Sequence, residues 1–125
     1  MSEIIKRIDS ENDMTVFTVI GKVTAMELVA AITDFYETSI TSNVLWDLTK
    51  SNVSEISSAD VKVIADLSFK FAERRPSGKT AIVGYEDFTF GLSRMYEMTK
   101  GISELPFETR VFRDMDQARN WLLSE

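Results

Sequence analysis

Val44-Leu-Trp-Asp-Leu-Thr-Lys-Ser-Asn-Val-Ser-Glu-Ile-Ser-Ser-Ala-Asp-Val61 is the stretch on which the fold turns. From Asn43 to Leu48 the chain is apolar on both faces except for Asp47, the pattern of a strand covered on both sides. A hydroxyl-rich loop runs from Thr49 to Ser58. At its end Ser57 and Asp60 have a spacing close to a capping box, with Asp in place of Glu, in which a serine oxygen accepts from the backbone amide three residues on. Val61, Ile64, Ala65, Ser68, Phe71 and Ala72 then recur at helical spacing, with a stop expected before Pro76. A buried strand passing through a polar loop into a helix is the repeating unit of a parallel α/β sheet, and such folds bind ligands beyond the carboxyl ends of their strands.

Upstream, Ile4, Ile5 and Ile8 mark a first strand, residues 9–13 a turn, and Met14 to Ile20 a second strand of β-branched and aromatic residues, so the two predict an antiparallel hairpin. Thr24 and Glu27 have capping-box spacing, and Leu28, Ile32, Phe35 and Tyr36 predict a helix over residues 25–38. Downstream, Thr80 to Gly84 is a short buried strand. Asp87 is placed to cap a third helix carrying Phe88, Leu92, Met95, Tyr96 and Thr99, and Pro106 forbids further helix. Phe107 to Arg113 alternates as an edge strand does, and Asp114 opens a last helix with Ala118, Trp121 and Leu122 inward. The order ββαβαβαβα predicts an α/β fold with a five-stranded, mostly parallel mixed sheet and four helices, with residues 1–125 as one domain.

Composition narrows the chemistry. The chain has 125 residues, 44% of them apolar, enough for a core without a metal or disulfide staple. It contains neither cysteine nor histidine, which removes Ser-His-Asp, Cys-His and most zinc chemistry; no metal or cofactor is expected. A net charge of −6 with scattered basic residues argues against nucleic acid. No run has the ~18–20 apolar residues of a membrane span, and the amino terminus lacks the order of a signal peptide. The expectation is a soluble cytoplasmic protein. Gly78-Lys79-Thr80 is not a phosphate loop, because Glu73 stands where the earlier glycine is needed and a strand follows. Arg74, Arg75 and Lys79 read as a solvated basic helix end.

Asp47-Leu48-Thr49, Ile56-Ser-Ser-Ala-Asp-Val61, Leu92-Ser-Arg-Met-Tyr-Glu-Met-Thr99 and the ending from Thr109 to Leu122 resemble the STAS domain of bacterial anti-sigma factor antagonists. With Val61 as anchor, Ala59 stands at the phosphorylated serine of that family and Asp60 at the glycine after it; a slip of one residue would put the phosphoacceptor on Ser58. Gly21-Lys22-Val23-Thr24 is similar to the SpoIIAA-like branch, grouped with lipid carriers of the CRAL-TRIO type. The resemblance implies a STAS (SpoIIAA-like) fold and binding rather than catalysis.

Two surfaces compete as the site. One is polar: Asp47, Thr49, Ser57 and Ser58 around the loop, with Gly84 and Tyr85 at the neighbouring strand end. Ser57 there has the plain alternative role of a helix cap. The other is apolar: Val63, Leu67 and Phe69 on the second helix, and Phe88, Phe90, Met95, Met98 and Ile102 on the third, beyond what one stripe of core contact requires. A hydrophobic small molecule or lipid, a membrane surface, a protein partner and a second copy of the chain remain open as occupants. The expected function is a non-enzymatic binding or regulatory module. A phosphorylation-controlled partner switch is the alternative, and a hydrolase using Asp47, Asp60, Glu86 or Asp87 a lesser one. Gly91 inside the third helix would mark mobility or close packing.

Overall fold

β1 (Ser2–Asp9) and β2 (Met14–Lys22) form the predicted antiparallel hairpin. The Asp9 carboxylate accepts from both the backbone and the side-chain amide of Asn12 in the turn. Asp13 takes φ 49°, a left-handed value that a short polar residue tolerates. The chain then alternates through α1 (Ala25–Thr38), β3 (Asn43–Asn52), α2 (Ser58–Lys70), a 3₁₀ turn (Ala72–Arg74), β4 (Lys79–Val83), α3 (Asp87–Gly101), β5 (Glu108–Phe112) and α4 (Met115–Leu123). This computed structural model describes residues 2–75, 77–101 and 107–124. The readings made at Pro76, Ile102 and Pro106 lie outside the described residues.

The strands lie in sequence order, β1-β2-β3-β4-β5, with β1 antiparallel and the rest parallel. Every crossover steps the same way across the sheet, so right-handed connections bring α1, α2 and α3 to one face. α4, entered after the last strand, packs against β3, β4 and β5 on the other. Alternation along the strands sorts the side chains between the two layers. Met14, Val16, Leu45, Ala81 and Val83 meet Ala118 and Leu122 of α4. Phe17, Val19, Val44 and Trp46 face the three-helix side, where Phe17 stacks on Trp46 with ring centroids 4.2 Å apart and Tyr36 on Phe71 at 5.1 Å.

The helix starts follow the sequence. Thr24 Oγ1 accepts from the Glu27 amide at 3.3 Å and Glu27 Oε1 from the Thr24 amide at 2.9 Å; the Ser2 hydroxyl also donates to Glu27, tying β1 to the start of α1. Ser57 and Asp60 make the second box at 3.1 and 3.0 Å. Asp114 Oδ1 caps α4 through the amides of Asp116 and Gln117.

Three expectations need correction. β3 does not end at Leu48 but runs to Asn52, because Asp47 Oδ1 accepts from the Thr49 amide at 2.9 Å and its hydroxyl at 2.6 Å. That clasp accommodates an extra residue in β3 between the Thr18–Asp47 and Ile20–Lys50 pairs, after which pairing with β2 resumes. Asp87 is the first residue of α3 rather than its cap; its carboxylate lies 3.0 Å from the Arg113 guanidinium. The inward face of α3 is also rotated from the predicted stripe. Thr89 and Ser93 are buried, whereas Phe88 and Met95 are 56% and 41% exposed. Gly84 permits this: a Cβ there would come within 2.8 Å of Thr89 Cγ2, so the missing side chain makes room for the first turn of α3.

Candidate ligand-binding cavity

The residues singled out from sequence fall in separate places. Asp47 and Thr49 are bound to each other across the bulge. Ser57 is the N-cap of α2, and Ser58, its first helical residue, is exposed. Arg113 donates to the Tyr85 carbonyl at 3.0 Å, pairs with Asp87 and places its guanidinium 4.2 Å from the Phe90 ring centroid, while Phe88 is exposed. Met95 lies further along the exposed side of α3. The structure therefore gathers Tyr85, Asp87 and Phe90 around one arginine, with Gly84 beneath Thr89, and does not join them to the serine pair.

What it does form is a cavity of about 90 Å³ between the sheet and the three-helix layer. Trp46 and Leu48 of β3 and Ile82 of β4 are its floor. Leu28 and Ile32 of α1 stand on one side, and Leu92 and Tyr96 of α3 on the other. Val53, Ile56, Val61 and Ile64 close it from the loop and α2. Its origin lies in side-chain size: where α3 meets β4 the inward residues are Thr89, Ser93 and Thr80, too short to fill the space left by helices packed on a twisted sheet. Leu28, Ile32, Trp46, Leu48 and Leu92 are only half-buried, so the apolar lining reaches the surface.

A smaller space of about 30 Å³ adjoins it toward the amino ends of β3 and β4, sharing Ile32, Trp46, Thr80 and Tyr96. Its lining includes Tyr36, Ser68 and Arg75. Arg75 is a correction to the solvated basic end read from sequence: it is 3% exposed. It donates to Thr80 Oγ1 at 2.6 Å and to the carbonyls of Ser42 and Lys79 at 2.9 and 2.8 Å, locking the entry to β4. Burial lowers its pKa, and the neighbouring Tyr36 hydroxyl works the other way; the guanidinium remains charged. Burial pushes the Tyr96 phenol well above its ordinary 10, against a 2.8 Å hydrogen bond with Ser68. Lys79 caps the end of α4 through the carbonyls of Trp121 and Ser124.

No model of a protein family matches the sequence, and no curated protein does. Solved structures do. An anti-sigma factor antagonist from Mycobacterium paratuberculosis superposes with a TM-score of 0.69 at 16% identity, over 99% of this chain and 96% of its own. An uncharacterized DUF3478 protein with a SpoIIAA-like fold from Shewanella loihica PV-4 superposes at 0.59 and 19% identity, over 97% and 93%. The fold is SpoIIAA-like. The hairpin, the three helices on one face and the lone α4 on the other are the SpoIIAA-like STAS arrangement expected from the Asp47-Leu48-Thr49 and Ile56 to Val61 segments. The grouping with CRAL-TRIO carriers has no counterpart in either neighbour. Sequence reasoning missed the cavity and Arg75 alike. A cavity is a deficit of volume shared among residues far apart in the chain, and an arginine beside another arginine before a proline carries no local sign of burial.

Proposed function

We propose that residues 1–125 act as one non-enzymatic binding and regulatory module of the SpoIIAA-like STAS type, whose ligand is a hydrophobic small molecule held beneath α2. The observation that carries this reading is the 90 Å³ apolar cavity, formed at the carboxyl-end half of the parallel strands where such sheets place their sites. Three of the four carboxylates considered for catalysis support it indirectly: Asp47 clasps Thr49, Asp60 completes a cap and Asp87 pairs with Arg113. Uncharged apolar probes such as toluene should raise the melting temperature of the protein in proportion to the logarithm of their concentration. Val61→Phe, which directs a ring into the cavity, should lose the response. A melting temperature indifferent to every such probe contradicts the reading.

A phosphorylation-controlled partner switch is favoured by a different observation, the exposure of Ser57 and Ser58 at the start of α2 in a fold shared with an anti-sigma factor antagonist. A phosphate there would sit at a helix N-terminus, which stabilises negative charge. Ser58→Asp should then release a protein that co-purifies with the wild type; an unchanged set of bound proteins counts against the switch.

A further inference from the structure

Arg75 places a positive charge in the smaller space that adjoins the cavity, with no carboxylate in salt-bridge contact with it among the described residues. It donates to the Thr80 hydroxyl and to two carbonyls, with the Tyr36 hydroxyl as a further hydrogen-bonding neighbour, all of them neutral, and Phe107 covers it at 4.3 Å from the ring centroid. Of the five guanidinium donors, Nε has no partner among the described residues. Asp13 is the carboxylate whose charge reaches it, from the exposed hairpin turn. A buried cation matched only by neutral acceptors is unfavourable, and a carboxylate in direct contact is what relieves it. The space of about 30 Å³ beside Arg75 is continuous in its lining with the apolar cavity, the two sharing Trp46 and Tyr96. Together they are amphipathic: one charged end, one greasy body.

We propose that this cavity binds a compact monocarboxylic acid, its apolar body between α1, α2 and α3 and its carboxylate on Arg75. The proposal rests on the reading of the cavity as a ligand site and names the class of ligand. Both N–H donors of one terminal nitrogen are spent on Ser42 and Lys79, so the contact is single: one carboxylate oxygen accepts from Nε–H. The Tyr36 hydroxyl, beside the guanidinium, donates to the other oxygen. Size sets the rest. The two spaces, about 90 and 30 Å³, together fall somewhat short of the roughly 150 Å³ of a cavity that holds benzene, so the acid is short, on the order of six carbons, rather than a long acyl chain. The smaller space is also roomy enough for one water, which would occupy Nε without answering the charge, and the two cases give different results.

The test compares hexanoate with 1-hexanol, matched in length and different in charge, by calorimetric titration at neutral pH, with the Nε–H resonance of Arg75 followed in ¹⁵N-labelled protein. Hexanoate should bind at least tenfold more tightly than hexanol and shift the Arg75 Nε–H signal at saturation. In Arg75→Met the preference should fall below twofold. Should that variant fail to fold, the affinity ratio and the Nε–H shift in the wild type decide alone. Equal binding of the two probes with an unmoved Nε–H signal overturns the carboxylate assignment and leaves the apolar cavity reading standing. Binding of neither probe overturns both.

Discussion

Gly78 and Gly91 are opposite cases of the same residue. Gly78 has φ 115°, and a Cβ there would overlap the backbone carbonyl of Ser42, which accepts from the Lys79 amide at 3.2 Å to align the starts of β3 and β4. Gly78→Ala should lose at least ~2 kcal/mol of stability, from backbone strain and the displaced contact together. Gly91 has nothing within 4 Å of its would-be Cβ, so it serves no close packing, and Gly91→Ala should gain about 1 kcal/mol from helix propensity. Urea denaturation of the two variants measures both. Neither sign could be read from the sequence, where Gly78 lies between Ser77 and Lys79 and Gly91 between Phe90 and Leu92; it depends on what lies across the chain. Arg75 was hidden for the same reason. Its burial comes from Phe107, Thr80 and Ser42, the last of these 33 positions away.

At the scale of the element, local rules were legible. Thr24–Glu27, Ser57–Asp60 and Asp114 all cap the helices whose starts they mark, because capping joins residues three apart and needs no tertiary partner. Ser57→Ala should cost about 1 kcal/mol by chemical denaturation, whatever else the serine does. The first box predicts a pH dependence. Hydrogen bonds from the Ser2 hydroxyl and then the Thr24 amide hold the Glu27 carboxyl below its ordinary 4.5. A depressed folded-state pKa means that this stability is fully present above pH 4.5 and is lost as pH falls through the lowered value. Glu27→Gln should therefore lower the melting temperature at neutral pH and flatten its fall below pH 4.5; an unchanged acid limb would contradict that. Where local rules failed, tertiary contact had overridden them. The stripe read onto α3 keeps Leu92 and Tyr96 inward, but the small Thr89 is what faces Gly84, and Phe88 and Met95 fall in the exposed apolar set that the sequence also offered. The end of β3 was misread because Asp47 looks like a strand terminator until Thr49 is seen to satisfy it within the bulge.

The whole molecule follows from strand order. Sequential strands with same-handed crossovers leave three helices on one face and one on the other; the ββαβαβαβα pattern carried the mixed sheet and its crossovers, and the strand order supplies the split between the faces. No helix among the described residues is long and apolar enough to cross a membrane. The three-helix face is where packing is incomplete, and the site proposed there depends on a property no segment carries by itself. The most direct measurement is a methyl-resolved NMR titration with toluene, reading the isoleucines that line the cavity, Ile32, Ile56, Ile64 and Ile82, against Ile5 and Ile8 on β1, outside it. The account predicts saturable shifts confined to the first group. Shifts that are absent, or spread equally over Ile5 and Ile8, would contradict it.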